Sequence, residues 1–532
     1  MKLSEIKTAK HMTIAEMMYQ NARKYPDKEA VVFGNSRLTY KYIDRESNRA
    51  ANCIIELGVK KGDRISMMVN NSDLFVIIYF GIIKAGGVAI PVNTRFTSRE
   101  VGFILKNSES KLFIYDEQPD LLLEDIDNTI NIRSICTEKC SDSHEPDFKI
   151  LVSNFTAERP NVNIDENDLC CIIYTSGTTG TPRGAVFTHR KVVYNAGIIG
   201  ALNHRFNLYT RSLIMMPMFH SAPLNNHVLG TIFVGGTLII VPKCEAGLFL
   251  EMVQKEKVTH FFGPSLVYLS CIKSFDVEKY DISSVQLFIM GGSPASQGDM
   301  ERIVEVFRLK DRFMQVYGLT EGGPSGCALV PEDIEGKSPS IGLGGCIGSE
   351  LKIVDSEQNV ITQPDVVGEL AVYSECNMLE YHNDTVKTGE TMVNGWILTG
   401  DLAMYDNDGY IYFVDRKKDI IICGGQNVYS KEVEDVIMEH PAVHEAVVMG
   451  VLHPEWGESV KAVVSLLPDT KATPGEIKSF CADKLAKFKR PRYVQIVSEI
   501  PHNPAGKILK QIAKNLYGKP EDCPSSDREA IK

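Results

Sequence analysis

RISMMVNNSDLFVIIYFGIIKAGGVAIPVNTRFTSREVGFILKNSESKLFIY, residues 64–115, alternates short apolar runs with longer amphipathic segments. The runs at 64–69, 88–92 and 111–115 predict strands, and residues 72–84 and 97–105 predict the helices between them. Thr97 and Glu100 have the spacing of a capping box at the start of the second helix. This β-α-β-α-β order predicts parallel strands joined by right-handed crossovers. The pattern returns at 285–307, where a strand, two glycines and a helix follow one another.

The chain has 532 residues, which is too long for one compact core and predicts at least two domains. Residues 116–168 are polar and acidic, and we expect them to be irregular. After Asp415 a charged stretch, RKKD, precedes a smaller α+β segment in which Ser430 is expected to cap a helix. We therefore predict an α/β protein. Its large N-terminal domain, residues 1–416, has mostly parallel sheets flanked by helices, and its small mobile α+β C-terminal domain is residues 417–532.

The composition limits which binding partners and which cellular location we expect for the protein. With 57 basic and 68 acidic residues the net charge is −11, which argues against nucleic acid as a partner. The longest apolar run, Leu74–Ile83, is half of the roughly 20 residues that a membrane span needs. Thirteen scattered cysteines indicate free thiols in a reducing compartment, and the polar start predicts no signal peptide. The expected location is the cytoplasm.

A glycine-rich loop follows a predicted strand at 168–174. Its sequence, TSGTTGTPRG at 175–184, holds five hydroxyl residues, three glycines and Arg183. Glycines let the backbone approach a ligand, while hydroxyl groups and a guanidinium donate to phosphate oxygens. A flexible surface loop is the alternative reading. A Walker loop is excluded because Pro182 stands where that pattern needs glycine.

Seven further motifs stand in a fixed order after this loop. They are PMFHS at 217–221, GGSP at 291–294, QVYGLTE at 315–321, GWILTGD at 395–401, DRKKDI at 415–420, GGQNVYSKEVE at 424–434 and PAGK at 504–507. With the loop they resemble the motifs of the adenylate-forming superfamily, which comprises acyl-CoA synthetases, luciferases and the adenylation domains of peptide synthetases. The resemblance covers roughly residues 12–515.

The resemblance implies a two-step reaction that uses ATP, Mg²⁺ and coenzyme A. A carboxylate attacks the α-phosphorus of ATP, and a thiol then attacks the acyl-adenylate. Positioning and charge stabilisation dominate such phosphoryl chemistry. The implied phosphate loop is Thr175, Ser176, Gly177, Thr178, Thr179, Gly180 and Arg183. Arg183 stands where the family most often has lysine, which keeps the charge but changes its geometry.

Other motifs carry the implied nucleotide contacts. Glu321 resembles the magnesium carboxylate, and Thr320 would donate to the α-phosphate. The adenine would lie between Tyr317 and a segment formed by Gly292, Ser293 and Pro294. Asp401 and Arg416 would bind the ribose.

The C-terminal domain would supply the moving parts. Lys507 matches the catalytic lysine of the family, whose ammonium follows the charge that develops in the transition state. Lys418 matches the hinge residue. By resemblance, the domain swings Lys507 out and brings the loop at Gly424 and Gly425 in to shape the path of the thiol.

His220 bears on the choice of acid. Amino-acid-activating relatives carry an aspartate at this position, so we predict an acid without an α-amino group. His220 would form the gate of the acyl pocket. The expected walls are small or uncharged residues: His220, Asn225, Gly263, Gly291, Gly318 and Gly323. They favour a neutral apolar acyl group, with a lean to medium- or long-chain fatty acids.

Several alternatives remain open from sequence. The acid could be aryl or alicyclic, and a packed core histidine is the alternative reading of His220. The acceptor could be a carrier protein in place of coenzyme A. A luciferase-like oxygenase and a nucleotide-binding protein without catalysis are less favoured. A homodimer is compatible with the sequence, which is silent on oligomeric state.

Overall fold

The computed structural model describes residues 12–116, 132–137, 147–175, 182–292, 295–324, 326–502 and 508–519. The chain divides into two compact units. The first comprises Met1–Ser338, Gly344–Leu351 and Val372–Ile397, and the second comprises Pro339–Leu343, Lys352–Ala371 and Leu398–Lys532. The domain boundary predicted near residue 417 lies inside the second unit. It remains a prediction about where the moving part begins.

The sheet predicted from residues 64–115 is present in the first unit. In spatial order its six described strands are Arg133–Cys136, Leu112–Tyr115, Arg64–Met68, Val88–Pro91, Leu169–Thr175 and Arg183–Thr188. All neighbours run parallel except the last two strands, which form an antiparallel pair. Thr97 and Glu100 form the predicted capping box before the helix Ser98–Asn107.

A second sheet of the first unit has eight described strands. Their order is Gly326–Leu329, Phe313–Gly318, Leu287–Met290, His260–Gly263, Arg211–Ile214, Thr237–Ile240, Glu29–Phe33 and Ser36–Thr39. The six inner strands are parallel and the two edge strands are antiparallel. Fully buried runs such as Leu287–Met290 are typical of parallel strands covered on both faces.

Helices cover these sheets. The α-helices of the first unit are Ile14–Lys24, Tyr40–Glu56, Asp73–Lys84, Ser98–Asn107, Phe148–Ser153, His189–Asn195, Leu229–Phe233, Ala246–Glu256, Ser265–Ser274, Gln297–Val306, Ile334–Lys337 and Thr385–Thr391. Two segments, Ala196–Asn203 and Ala222–Val228, are π-helical. Asp73–Lys84 is buried almost all round, as its apolar sequence predicts. None of the helices in the described ranges has the length and apolar character of a membrane span.

Residues 342–416 contribute the strands of a third, mainly antiparallel sheet. Their order is Gly342–Leu343, Tyr410–Arg416, Trp396–Tyr405, Gly368–Ser374, Ser349–Val354 and Val360–Ile361, with Met392–Val393 paired to Trp396–Tyr405. The second unit also contains a five-stranded sheet. It consists of Gln426–Val428, Ile421–Cys423, Gly457–Leu466, Val443–His453 and Tyr493–Val497. Its helices are Ser430–Met438, Pro474–Ala482 and Lys510–Tyr517.

Two local predictions were wrong. Ser430 does not cap its helix but is the first helical residue, because its hydroxyl donates to Asp415 Oδ2 at 2.8 Å. The stretch 116–168 is not wholly irregular, since Arg133–Cys136 is a strand and Phe148–Ser153 a short helix. The strand gains stability from pairing with Leu112–Tyr115, a distant partner that the polar local sequence does not reveal.

Candidate active site

Glu321 lies on a single helical turn, Thr320–Gly322, directly after the strand Phe313–Gly318. The Tyr381 hydroxyl donates to Glu321 Oε1 at 2.7 Å, and the backbone N–H of Met378 donates to the Glu321 carbonyl at 2.7 Å. Gly323 closes the turn with φ +86°, and a Cβ there would lie 2.2 Å from the Cys376 carbonyl oxygen. Glu321 is therefore held in place through both its carboxylate and its backbone carbonyl.

The segment that carries Tyr381 also pairs with the strand that leaves the glycine-rich loop. Leu379 N–H donates to the Val186 carbonyl at 2.8 Å, and His382 N–H donates to the Gly184 carbonyl at 2.7 Å. Burial raises the pKa of Tyr381, and the Glu321 carboxylate adds to that rise. The phenol stays protonated and remains a donor. Tyr381 thus connects the predicted magnesium carboxylate to the exit of the predicted phosphate loop.

The two ends of the glycine-rich loop lie side by side. Thr175 and Arg183 are opposite each other in the antiparallel pair, and the Thr175 hydroxyl donates to the Arg183 carbonyl at 3.4 Å. Arg183 Nε lies 3.6 Å from Asp384 Oδ2. Asp384 also caps the helix Thr385–Thr391 by accepting from Lys387 N–H. The remaining predicted loop residues, Ser176, Gly177, Thr178, Thr179 and Gly180, lie outside the described residues.

The predicted adenine side of the site is described in part. Tyr317 is half-buried near the end of its strand, three residues before Thr320, which is also half-buried. Gly292 has φ +86° and open space where a Cβ would point. This backbone conformation is one that side-chain-bearing residues rarely adopt. Ser293 and Pro294 lie outside the described residues.

His220 ends a turn in which its N–H donates to the Pro217 carbonyl at 3.1 Å. Its ring centroid lies 4.6 Å from that of Phe219. The Nε2 atom is buried and has no hydrogen-bond partner among the described residues. Burial lowers the pKa of His220 to about 4, so the ring is neutral near pH 7. A neutral ring with an unpartnered nitrogen is compatible with the predicted gate, which stays a prediction.

In the second unit the predicted ribose residues lie next to each other. Asp401 and Arg416 are paired across two antiparallel strands, and Arg416 Nε is 3.3 Å from Asp401 Oδ1. Asp401 is buried, and its N–H donates to the Thr399 hydroxyl. Lys418, the predicted hinge, is exposed on the turn Lys417–Asp419. Burial of part of its side chain lowers the pKa of Lys418.

Gly424 and Gly425 form the two-residue turn of a hairpin between Ile421–Cys423 and Gln426–Val428. Their φ angles are +59° and +79°, and this pair of positive values is the reason that glycine is needed at both positions. A Cβ on Gly424 would lie 2.6 Å from Trp456 Cε3. The turn is therefore closed against a tryptophan that the motif analysis did not single out.

Lys507 lies outside the described residues, between His502 and Ile508, which pair with each other. Just beyond it, Lys510 is half-buried and is held by acidic and hydroxyl groups. Lys510 Nζ lies 2.7 Å from Glu434 Oε1 and donates to the Ser430 hydroxyl at 2.6 Å. This network was missed, although Lys510 follows PAGK by three residues and Glu434 ends the GGQNVYSKEVE motif.

Two protein-family models match most of the chain. The model of the AMP-binding enzyme family matches residues 18–382, and the model of the AMP-binding enzyme C-terminal domain matches residues 432–507. Long-chain-fatty-acid–CoA ligase FadD13 of Mycobacterium tuberculosis is 33% identical over 95% of this chain and 98% of its own length. Mitochondrial medium-chain acyl-CoA ligase ACSF2 of Bos taurus is 30% identical over 94% of this chain and 86% of its own.

A solved structure has a similar fold over nearly the whole chain. The fatty acyl CoA synthetase of Mycobacterium tuberculosis superposes with a TM-score of 0.73 at 30% identity, covering 96% of this chain and 99% of the other.

Proposed function

We propose that the acid activated by this chain is a medium- or long-chain fatty acid. The chain belongs to the AMP-binding enzyme family and is an AMP-forming acyl-CoA synthetase. The carboxylate oxygen attacks the α-phosphorus of ATP and pyrophosphate leaves. The coenzyme A sulfur then attacks the acyl carbon, the mixed anhydride breaks, and AMP leaves with the thiol proton released to water. The names of the two relatives, a long-chain and a medium-chain ligase, support this choice of acid over an aryl or alicyclic one.

One observation supports adenylate formation at this site: a half-buried carboxylate, Glu321, is held by Tyr381 beside the strand that leaves the glycine-rich loop. Phosphoryl transfer needs fixed charges and dipoles around the phosphates more than it needs covalent help from the protein. Glu321 and Arg183 supply one charge of each sign there. The AMP-binding enzyme family model spans this whole arrangement, because it matches residues 18–382.

Mg²⁺ fits the residues at this place. Magnesium takes one or two carboxylates together with phosphate oxygens, and an ionised carboxylate offers about four lone pairs. Glu321 uses one of them for Tyr381. Within the described ranges no cluster of three or more His, Cys, Asp or Glu side chains could hold a metal. Glu321 would share the ion with phosphate oxygens of ATP. When bound, the ion would neutralise the developing phosphate charge.

The remaining roles are proposed from the motif positions. Thr320 would donate to the α-phosphate, Tyr317 would stack on adenine, and Asp401 with Arg416 would bind the ribose. The pairing of Asp401 with Arg416 at 3.3 Å supports a shared ligand for these two residues. Lys507 would contact the reacting carboxylate and α-phosphate, and Lys418 would be the hinge. The loop at Gly424 and Gly425 would shape the path of coenzyme A.

His220 supports the choice of a neutral acid. Its ring is uncharged near pH 7 and so supplies no anion to pair with a substrate ammonium group. An acid with an α-amino group would have to bury its charge without a partner at this position, which is costly. Coenzyme A is preferred to a carrier protein as acceptor because the relatives are CoA ligases. A cytoplasmic location and a homodimer remain predictions.

The test measures AMP, pyrophosphate and acyl-CoA with a panel of acids, each with and without coenzyme A. Decanoate, palmitate, benzoate, cyclohexanecarboxylate and phenylalanine represent the classes. We expect fatty acids to give equal amounts of AMP and thioester that depend on coenzyme A. Turnover of benzoate or cyclohexanecarboxylate alone would replace the proposed acid class, and adenylate without thioester would replace the proposed acceptor. The Glu321→Gln variant is the control for adventitious ATP hydrolysis.

A further inference from the structure

Two buried histidines and the half-buried Phe262 form a stack of three aromatic rings behind the predicted acyl pocket. The rings of His204 and His227 lie 5.1 Å apart at an interplanar angle of 17°, and those of His227 and Phe262 lie 4.8 Å apart at 18°. Each histidine is only 2% exposed. His227 stands on the π-helical segment Ala222–Val228, a geometry that is rare and frequent at functional sites. We call His204, His227 and Phe262 the ring stack.

The ring stack leaves polar atoms unused. Both ring nitrogens of His227 and Nδ1 of His204 are buried without a hydrogen-bond partner among the described residues, and so is Asn225 Oδ1. A neutral imidazole carries one N–H donor and one acceptor nitrogen. Buried polar groups in native proteins nearly always have partners, in the protein or in bound molecules. Three ring nitrogens in one stack are therefore available to a bound molecule.

Contacts connect the ring stack to the predicted acyl pocket. Phe262 Cε2 would lie 3.1 Å from a Cβ on Gly291, which is one of the predicted walls. Phe262 directly precedes Gly263, a second predicted wall, on the strand His260–Gly263. Asn225, a third, stands two residues before His227. The stack thus begins at the wall of the pocket and continues away from it through His227 to His204.

The charge state of the two histidine rings indicates which kind of substrate group could bind to them. Burial lowers the pKa of His204 to about 3 and that of His227 well below its usual value, so both rings are neutral near pH 7. Neutral rings would leave a second substrate carboxylate buried without a cation, which is costly. A hydroxyl group can accept from the N–H of a neutral imidazole or donate to its bare nitrogen, and a ketone oxygen can accept from the N–H, so either group can bond one of the two unpartnered nitrogens of His227.

We propose that the ring stack recognises a neutral oxygen group, a hydroxyl or a ketone, on the acyl chain, and that the preferred substrates are oxygenated fatty acids. This inference rests on the proposed function, because it assumes that the acyl chain enters between His220 and Gly291. It adds to that function a polar contact remote from the carboxylate. His227 is the specificity-determining residue, and His204 positions its ring.

The experiment compares kcat/KM for decanoate with a positional series of monohydroxydecanoates and ketodecanoates. We expect at least one oxygenated acid to be preferred by about tenfold or more, because a site built to bond a hydroxyl discriminates strongly against its absence. His227→Phe keeps a ring in the stack and removes both nitrogens. It should abolish the preference, measured as the ratio of kcat/KM for the oxygenated acid to kcat/KM for decanoate, and His227→Gln should restore part of that ratio.

His189→Phe is the matched control. His189 is also a buried histidine of the first unit, but its Nδ1 accepts from Ile14 N–H, so the control should leave the preference unchanged. Equal kcat/KM for all decanoates, or an unchanged preference in His227→Phe, overturns the inference. So does a crystal structure with a hydroxydecanoyl-adenylate mimic in which only water contacts His227. Decanoate-dependent AMP release in any of these cases leaves the proposed function intact.

Discussion

Tyr381 donates its hydroxyl hydrogen to Glu321 Oε1 across 2.7 Å, although sixty residues separate them in the sequence. The bond joins a buried phenol to a half-buried carboxylate at the end of a parallel strand. It orients the one acidic side chain that the motifs assign to magnesium. The neighbours of Tyr381 pair with Val186 and Gly184, so the same residue ties that carboxylate to the glycine-rich loop.

Replacing Tyr381 by phenylalanine tests this bond. A hydrogen bond to a charged group contributes about 1.5–3 kcal/mol, so Tyr381→Phe should lower kcat/KM for ATP by roughly 10–100-fold. The concentration of Mg²⁺ that gives half-maximal rate should rise as well. Tyr373→Phe is the matched control, because Tyr373 is 43% exposed and packs on Trp396. An unchanged magnesium titration would remove Tyr381 from the site.

Lys507→Ala separates the two halves of the reaction. If its ammonium stabilises the first transition state, adenylate formation should slow on the order of 10²–10³-fold. Thioester formation from synthetic acyl-AMP and coenzyme A should be largely spared. Lys514→Ala serves as the control, since Lys514 is exposed on the helix that follows. Equal loss in both half-reactions would refute the role of Lys507.

Lys418→Pro tests the hinge. Proline fixes φ near −65° and removes the backbone freedom that a hinge residue needs. We expect thioester formation from acyl-AMP to fall more than adenylate formation does. The neighbouring variant Lys417→Ala removes an ion pair with Glu369 but no backbone freedom, and it should affect both steps little. Wild-type turnover in Lys418→Pro would exclude a hinge at this residue.

Much of the fold was predictable because the deciding interactions are local. Periodicity at residues 64–115 predicted three parallel strands and two helices, and the capping box at Thr97 is formed as expected. The prediction that Ser430 caps its helix was wrong because the Ser430 hydroxyl donates to Asp415, fifteen residues earlier in the chain. A capping rule considers only the next few residues and cannot foresee that competition.

The candidate site residues were named from motifs, and the contacts around them were only partly predictable from the sequence. Glu321, Asp401 and Arg416 stand in short motifs, whereas Tyr381 and Lys510 gain their importance from partners that only the folded chain brings close. The unused nitrogens of His227 are likewise invisible in sequence. A histidine in an apolar segment looks the same whether its ring is satisfied or not.

Buried histidines predict acid lability. Burial lowers the pKa of His260 from 6.5 to about 4, so the unfolded chain binds the proton more readily than the folded chain does. The stabilisation is present above pH 6.5 and is lost as the pH falls towards 4. For one such group the loss is roughly 2–3 kcal/mol. Urea unfolding at pH 7 and pH 4.5 should show a smaller drop for His260→Phe than for the wild type, and equal drops would contradict the assignment.

The most direct measurement is acid-dependent exchange of labelled pyrophosphate into ATP in the absence of coenzyme A. Exchange requires that the acyl-adenylate forms reversibly before any thiol arrives. We predict exchange with decanoate and Mg²⁺, none without the acid, and a loss on the order of 10²–10³-fold in Glu321→Gln. Exchange that needs coenzyme A, or that proceeds equally well without an acid, would contradict an adenylate-forming first step.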